Sequence, residues 1–356
     1  NLTVSDMMTE DGEFFSDSDS FVNSPIPLGN GTLEVSLSSK NPRADSIPKG
    51  ANGVTMLSLD LSASCEDDVV LENLTILHQG FGKETDIDGV YASMDGGRVT
   101  RKRTIDSQAQ TADIRFTRPV VVEACDTVTL DIMADFNSTA DTASEHSLAV
   151  ELASDFVGNA RSVRGNFPMR GNTFRVASVT SGTVTLEYRS VSPSTIKVGD
   201  KRASIGRFEL STDSIEDQTI YSITLENDGS ANDDDVTNIA IRKSDGTVLT
   251  NVARSFTNGY VTLTFNPPFT ILQGDKITLE VVGDIVGGAN DNIQMQVEES
   301  SDIFAVGSLY GYGQSGQLYG SQIRIRSTST PTLVKIDAGQ LTVEIDGPIQ
   351  QKFRRD

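Results

Sequence analysis

An all-β protein of tandem β-sandwich domains is predicted by two features: short segments in which apolar and polar residues alternate, and an internal repeat of those segments. Val128, Leu130 and Ile132, for example, alternate with polar residues. This period of two is typical of a strand with one face in a core. Turn signals such as Asp95-Gly96 separate the segments, and no stretch has convincing helical periodicity.

The repeat is clearest where each copy opens. Gly31-Thr32-Leu33 returns as Gly182-Thr183-Val184 and again as Gly339-Gln340-Leu341. Five further pairs follow in the same order and at nearly constant spacing: Leu74–Ile76 with Ile223–Leu225, Ile87–Val90 with Val236–Ile239, Asp95-Gly96 with Asp245-Gly246, Ile114–Pro119 with Leu263–Pro268, and Asp126–Ile132 with Asp275–Val281. Chance could supply one such pair, but five in order indicate duplication.

The repeat also sets the domain boundaries. We predict one immunoglobulin-like sandwich over residues 31–180 and a second over 181–337, because 356 residues exceed the roughly 250–300 that one core holds. Phe174–Val176 and Ile323–Ile325 are interpreted as equivalent closing strands. Residues 1–30 form a polar extension that we expect assembly to order. Residues 338–356 either open a third repeat or supply a strand to a neighbouring molecule.

Composition narrows the function classes. The net charge of −21 and the pI near 4.4 argue against general nucleic-acid binding, because phosphate backbones repel such a protein. No apolar run reaches the ~18 residues of a membrane span. The chain opens without a charged and apolar leader, so we expect any signal peptide to have been removed.

The two cysteines, Cys65 and Cys125, are expected to form a disulfide, with two buried free thiols as the alternative. Cys65 follows the strand that contains Leu57–Leu61, and Cys125 begins the turn into the strand near Val128. Their counterparts in the second repeat are predicted to be about Ile215 and Gly274.

Acidic clusters are the candidate ligand site, although charged loops are more often simply solvated. They occupy equivalent places before the same strand in each repeat: Asp86, Asp88, Asp233 and Asp235. Calcium takes six to eight oxygen ligands from such loops, so these residues predict a calcium site that rigidifies the domains. No cofactor is otherwise required.

No catalytic site is predicted. His78 and His146 lack partners at metal-ligand spacing and are expected to be exposed. The run 311–316 matches G-x-G-x-x-G, but no helix follows it, so a dinucleotide site is rejected. The same loop carries tyrosines that suit an interface: Tyr310, Tyr312 and Tyr319.

The tail predicts assembly. The residues expected to form an assembly strand are Gly339, Leu341, Val343 and Ile345. An unpaired strand is an aggregation hazard unless a neighbour receives it. The charges expected to steer head-to-tail contact are acidic at the start of the chain and basic at its end: Asp17, Asp19, Lys352, Arg354 and Arg355.

With its G-T-[LV] opening strand and its D-x-[VI]-T-L strand at Asp126 and Asp275, the chain resembles tandem immunoglobulin-like cell-surface proteins of bacteria and archaea. The resemblance implies a structural subunit of a surface layer or extracellular filament, with the chain itself as partner. The alternative is an adhesin whose loops bind a glycan or host ligand. The basic run Arg101-Lys102-Arg103 is either a solvated loop or a contact for an acidic neighbour.

Overall fold

The computed structural model describes residues 29–313 and 317–339 and confirms an all-β fold of tandem immunoglobulin-like sandwiches. Strands β1 to β13 form the first sandwich: Thr32–Leu37, Asp45–Lys49, Val54–Ala63, Val69–Gln79, Ile87–Met94, Gly97–Arg98, Thr111–Val122, Thr127–Phe136, Glu145–Val150, Phe156–Gly158, Ser162–Arg164, Met169–Arg170 and Phe174–Thr180. Its two 3₁₀ turns in the described residues are Glu84–Asp86 and Ala153–Asp155.

Strands β14 to β25 form the second sandwich: Thr183–Tyr188, Thr195–Lys197, Ala203–Thr212, Gln218–Asn227, Val236–Lys243, Tyr260–Ile271, Lys276–Ile285, Asn292–Ile293, Met295–Gln296, Ile303–Gly307, Gln322–Ile325 and Val334–Asp337. Its 3₁₀ turns in the same ranges are Asp233–Asp235 and Ser300–Asp302.

Two sheets enclose the core of the first sandwich. One has the strand order β11-β1-β3-β8-β5-β6, and the other has β10-β4-β9-β13-β2 with β7 and β12 alongside. Leu59 and Ile132 from the first sheet meet Leu74 from the second in one cluster, and none of the three is exposed. The predicted alternation therefore buries one face of each strand, because successive side chains point to opposite sides of a sheet.

The second sandwich repeats this plan around its own core. Its first sheet has the order β18-β20-β16-β14-β24, and the facing strands are β19-β17-β22 with β23, next to β15-β25-β21. Leu210, Ile223 and Leu279 are fully buried in a cluster separate from that of the first sandwich. Each copy of the repeat thus forms its own hydrophobic core.

Equivalent strands occupy equivalent places. The order β1-β3-β8-β5 in the first sandwich matches β14-β16-β20-β18 in the second. A backbone detail is repeated as well: the N–H of Gly53 donates to Asp135 at 2.8 Å, and that of Arg202 donates to Asp284 at 2.8 Å. Individual residues of the two sandwiches can therefore be compared in pairs.

One predicted equivalence is wrong. Phe174–Val176 lies in β13, which pairs in parallel with β2, whereas Ile323–Ile325 lies in β24, which pairs in parallel with the opening strand β14. By pairing, β24 corresponds to β11, and β13 corresponds to β25. The two closing strands of each sandwich have similar apolar patterns, and only the strand beside each one distinguishes them.

A disulfide joins Cys65 and Cys125, whose Cα atoms are 4.4 Å apart. It connects the turn after β3 with the turn before β8. Cys125 has a left-handed φ of 64°, and its counterpart Gly274 has a φ of 75°. Glycine adopts this conformation without steric cost. The first sandwich has therefore placed a cross-linked residue where the second keeps a glycine.

The counterpart of Cys65 differs from the prediction. The N–H of Cys125 donates to the carbonyl of Ser64, and the equivalent N–H of Gly274 donates to the carbonyl of Asp213. Ser64 therefore matches Asp213, and Cys65 matches the next residue, Ser214, instead of Ile215. Sequence spacing alone therefore aligns the two equivalent turns with an error of one residue.

Candidate functional site: the junction between the two sandwiches

The junction between the sandwiches centres on Arg98, in strand β6, whose side chain is only 2% exposed. Its Nε and Nη2 donate to the two carboxylate oxygens of Asp302, each at 2.9 Å. Nη2 also donates to Glu298 at 2.7 Å, and Nη1 donates to the carbonyl of Thr100 at 2.7 Å. The planar guanidinium fork matches a carboxylate in this bidentate geometry. A buried cation of the first sandwich is thus held by carboxylates of the second.

The carboxylates around Arg98 respond to it differently. Burial disfavours ionisation of Glu298, but the hydrogen bond and the charge of Arg98 outweigh that effect and lower its pKa. The pKa of Glu299 is raised, because burial outweighs the attraction of Arg98. Arg98 itself loses solvation, yet Asp302 more than compensates and raises its pKa. The junction thus favours the charged forms of Arg98 and Glu298, whereas burial disfavours the charged form of Glu299.

Lys102 makes a second set of contacts across the junction. Its backbone N–H donates to Glu299 at 3.0 Å, and its Nζ donates to Ser300 at 3.1 Å. The same Nζ lies 3.1 Å from Asp135 and 2.7 Å from Asp88 of its own sandwich. Burial raises the pKa of Asp135 in spite of this cation. Lys102 therefore links the buried Asp135 of one sandwich to side chains of the 3₁₀ turn of the other.

The basic run Arg101-Lys102-Arg103 was the sequence signal for this site. Of its two interpretations, the structure favours a contact with an acidic neighbour, and that neighbour is the second sandwich of the same chain. Arg101 lies 2.8 Å from Glu298 and adds a third cation. Arg98, four residues before Lys102, belongs to no sequence motif that would indicate its role.

Tyr319 crosses the junction in the opposite direction. It belongs to the chain of the second sandwich, yet its fully buried side chain packs in the core cluster of the first. Asn52 and Gly320 exchange two backbone hydrogen bonds beside it, at 2.8 and 2.7 Å. Burial and the nearby charge of Asp45 raise the pKa of the Tyr319 phenol. The junction is therefore apolar as well as charged.

The predicted interface loop is corrected by this finding. Tyr319 offers no exposed contact area, because the loop folds back on the first sandwich. The backbone N–H of Tyr310 donates to the carboxylate of Glu216 at 3.0 Å. Only Tyr312 is exposed, with 55% of its surface accessible. The tyrosine-bearing loop thus forms an interface within the chain.

A small cavity of about 170 Å³ remains at the junction. Phe304 packs over Gly53 there, so closely that a Cβ on Gly53 would lie 3.3 Å from the ring. Tyr91 and Met133 line the first-sandwich wall. Burial raises the pKa of the Tyr91 phenol, and the charge of Asp135 adds to the shift. The cavity is a packing defect between the two faces of the junction.

Both histidines are buried, contrary to the prediction. His78 in β4 is 4% exposed, and His146 in β9 is fully buried. Their rings are 3.0 Å apart between His78 Nε2 and His146 Nδ1, and Nδ1 of His78 lies 3.0 Å from the side-chain oxygen of Gln110. Nε2 of His146 lies 3.3 Å from Asp86 and 3.0 Å from Ser144. Burial and the adjacent His78 lower the pKa of His146 to about 4.

The predicted calcium ligands have other partners in the structure. Asp86 is buried beside His146 and accepts the backbone N–H of Asp141 at 2.9 Å, whereas Asp88 pairs with Lys102. Asp233 accepts the N–H of Gly259, and Asp235 accepts that of Asn232, each at 2.8 Å. Within residues 29–313 and 317–339, no group of three or more acidic, His or Cys side chains could hold a metal ion. The four carboxylates thus have protein partners in the structure, and the calcium site stays a prediction.

The predicted assembly strand and the steering charges are largely outside the described residues. Gly339 is described, but Leu341, Val343 and Ile345 are not. Asp17, Asp19, Lys352, Arg354 and Arg355 are also outside. In the described part of the chain, no helix is long and apolar enough to cross a membrane.

No protein-family model matches the sequence, and the comparison with curated proteins gives no match. Among solved structures, the C-terminal domain of the AgI/II polypeptide BspA of Streptococcus agalactiae is 12% identical. The match covers 77% of this chain and 97% of that one, with a TM-score of 0.20.

The C-terminal domain of the antigen I/II-family protein AspA of Streptococcus pyogenes is 9% identical over 86% of this chain and 99% of that one, with a TM-score of 0.21. A chaperone–tip adhesion subunit complex from Csu pili of Acinetobacter baumannii is 10% identical over 84% and 97%, with a TM-score of 0.16. Superpositions with scores this low carry no argument about function.

Proposed function

We propose that this protein is a structural subunit of an extracellular filament or surface layer, in which copies associate head to tail. The single observation that supports the proposal most is the junction, where Arg98 is clamped by Asp302 and Glu298. Domains of one chain usually move relative to each other unless their interface is large and well packed. A buried ion cluster and an inserted Tyr319 restrain that motion, which suits a stiff repeating unit.

An extracellular location is part of the proposal. Cys65 and Cys125 form a disulfide. Disulfides persist in oxidising compartments and are rare in proteins of reducing ones. The strong net negative charge keeps individual copies soluble before they associate. Both properties fit a protein that is exported and then assembled.

Assembly by strand donation is the more specific form of the proposal. The opening-strand position of the first sandwich is already filled, because β1 pairs with β3 on one side and β11 on the other. A strand from another molecule, formed by residues 339–345, would therefore add at a sheet edge. The alternative is that these residues form the first strand of a third sandwich, just as β14, which begins at Thr183, is the first strand of the second sandwich.

Electron microscopy and sedimentation of the purified chain test the proposal, with and without added calcium. We expect ordered polymers at micromolar concentration and their loss when the chain is truncated after Asp337. If the truncated protein still assembles, strand donation is wrong while the structural role stands. If the intact chain stays monomeric under all of these conditions, the structural role is wrong.

An adhesin is the second candidate, because an open groove of about 430 Å³ lies beside the junction. Lys40 and Arg43 line one part of it, and Asp131 and Gln317 line another. Such a mixture of charged and amide groups suits a polar ligand such as an acidic glycan. Binding on a glycan array that Arg43→Ala abolishes would support this candidate, and an array without binding would remove it.

A further inference from the structure

The faces that meet at the junction each have an equivalent elsewhere on the chain. The first sandwich contributes one of the two junction faces. Because the two sandwiches are structurally equivalent, the second sandwich has a corresponding face at the same place in its own fold. We call this copy the tail face and define it by Arg202, Val248 and Val252. The second sandwich contributes the other junction face, and its copy on the first sandwich is the head face, defined by Leu152 and Val157.

Strand pairing identifies the tail face. Arg98 pairs with Ser93, and Val248 pairs with Arg242 at the same place in the second sandwich. Lys102 precedes the bridge from Arg103 to Val90, and Val252 precedes the equivalent bridge from Ala253 to Ile239. Two of the junction cations, Arg98 and Lys102, thus correspond to valines. Val248 is 39% exposed, and Val252 is 57% exposed.

The head face is identified in the same way. The N–H of Glu299 donates to Asp302 in one 3₁₀ turn, and that of Leu152 donates to Asp155 in the other. Leu152 therefore matches the carboxylate that contacts Lys102.

Phe304 pairs with Ser222, and Val157 pairs with Asn73 at the equivalent place, so Val157 matches the ring that packs over Gly53. Leu152 is 56% exposed, and Val157 is 47% exposed. Both residues of the head face are therefore available for contact.

Two of the three pairs on the free faces have substitutions that compensate each other, whereas the third places Val248 opposite Asp155 where the junction has the ion pair of Arg98 with Asp302. In the junction, Lys102 contacts Glu299, and the equivalent residues are Val252 and Leu152, so a polar pair becomes an apolar pair. The small Gly53 lies under the large Phe304 in the junction.

The equivalents of that second pair are the large Arg202 and the smaller Val157, so the sizes are exchanged. Charge is also complementary. Lys201 and Arg202 accompany the tail face, and the exposed Glu151 and the half-buried Asp155 accompany the head face. Apolar side chains exposed in register on both faces are typical of a contact surface.

We propose that the head face of one copy docks on the tail face of a second copy, with the same geometry as the junction inside the chain. The proposal rests on the proposed function and names the surface that carries it. Leu152 then packs against Val252, and Val157 lies near Arg202. The contact uses different surfaces on the two copies, so it repeats without closing into a symmetric dimer. The free faces carry Val252 and Leu152 where the junction has Lys102 and Glu299. The head face of a neighbouring molecule therefore matches the junction poorly and does not replace the second sandwich there.

The intact chain and four variants, one of them a control, test this surface by sedimentation velocity and electron microscopy. Leu152→Glu and Val252→Lys each place a charge in the apolar pair, and each should weaken association by roughly tenfold or more. Combining them should restore most of the association, because the carboxylate then faces the ammonium group. Leu272→Lys is the matched control, since Leu272 is also 57% exposed but lies on neither face.

Thermal unfolding of each variant shows whether its fold is intact. If the intact chain assembles and the two single variants assemble as well as the control, the docking surface is wrong while the proposed function stands. If the single variants fail and the double variant also fails, the pairing of Leu152 with Val252 is wrong. If the intact chain itself does not self-associate, the proposed function fails and the docking surface fails with it.

Discussion

Arg98 and Asp302 are 204 residues apart in the sequence and make two parallel hydrogen bonds of 2.9 Å across the junction. Their side chains are 2% and 1% exposed. A buried ion pair contributes little net stability compared with an apolar contact, because both charges lose solvation. Breaking such a pair is costly, however, because the remaining charge stays buried. We therefore expect the pair to make docking of the two sandwiches specific more than to add stability.

Arg98→Ala should uncouple the sandwiches. The substitution leaves Asp302 buried without its partner, which costs about 3–5 kcal/mol in comparable cases. We expect calorimetry to show two separate unfolding transitions in place of one. The matched control is Arg189→Ala, because Arg189 pairs with Glu187 and Glu209 with 36% of its side chain exposed, and surface pairs contribute about 0–1 kcal/mol. A single transition at an unchanged temperature in Arg98→Ala would contradict this role.

Tyr319→Ala should destabilise the first sandwich, although the residue belongs to the second. Removal of a fully buried aromatic side chain costs about 3–5 kcal/mol. We expect hydrogen exchange to quicken in the first-sandwich strands around Ile47 and Phe174, which share its cluster. Tyr312→Ala is the control from the same loop, and its 55% exposure predicts a change within about 0.5 kcal/mol. If Tyr319→Ala lowers stability as little as Tyr312→Ala, the inserted side chain contributes nothing to the first sandwich.

The strands could be predicted from the sequence because their signal is local. Alternation within segments such as 127–132 and the turn at Asp95-Gly96 each depend on a few adjacent residues, and duplication supplies an independent second copy. The closing strands were paired wrongly because Phe174–Val176 and Ile323–Ile325 have similar patterns and only their neighbours differ.

The junction could not be predicted in detail. It joins Arg98 to residues about 200 positions away, and no local pattern records such a contact. The prediction that both histidines are exposed was wrong for a related reason. Strand β9 turns the side chain of His146 inward, where His78 and Ser144 lie within hydrogen-bond distance of its two ring nitrogens.

Reduction of the disulfide should destabilise the first sandwich selectively. Cys65 and Cys125 are 60 residues apart, and closing a loop of that length stabilises by about 4 kcal/mol in the chain-entropy model. We expect the melting temperature of the first sandwich to fall in a reducing agent and in a Cys65→Ser, Cys125→Ser variant, which should no longer respond to the agent. An equal response of the double variant would show that the agent acts elsewhere, and two free thiols in the non-reduced protein would contradict the bond.

Acidification should destabilise the first sandwich through His146. Burial and the adjacent His78 lower its pKa from 6.5 to about 4 in the folded state. Between these two values the unfolded chain binds a proton at His146 that the folded chain does not, so stability falls as the pH drops from about 6.5 towards 4. At about 1.4 kcal/mol per pKa unit, the loss is roughly 2–3 kcal/mol, or about 5–10 °C in Tm.

Thermal unfolding at intervals between pH 7.5 and 4 measures this dependence in the intact chain and in His146→Gln. The glutamine keeps an amide that can hydrogen-bond to His78 or Asp86 but does not titrate. We expect the variant to be less stable at pH 7.5 and to lose less stability across the window, because carboxylates of the junction titrate in both proteins. Parallel curves for the two proteins would contradict the assignment, since the pH dependence would then arise from groups other than His146.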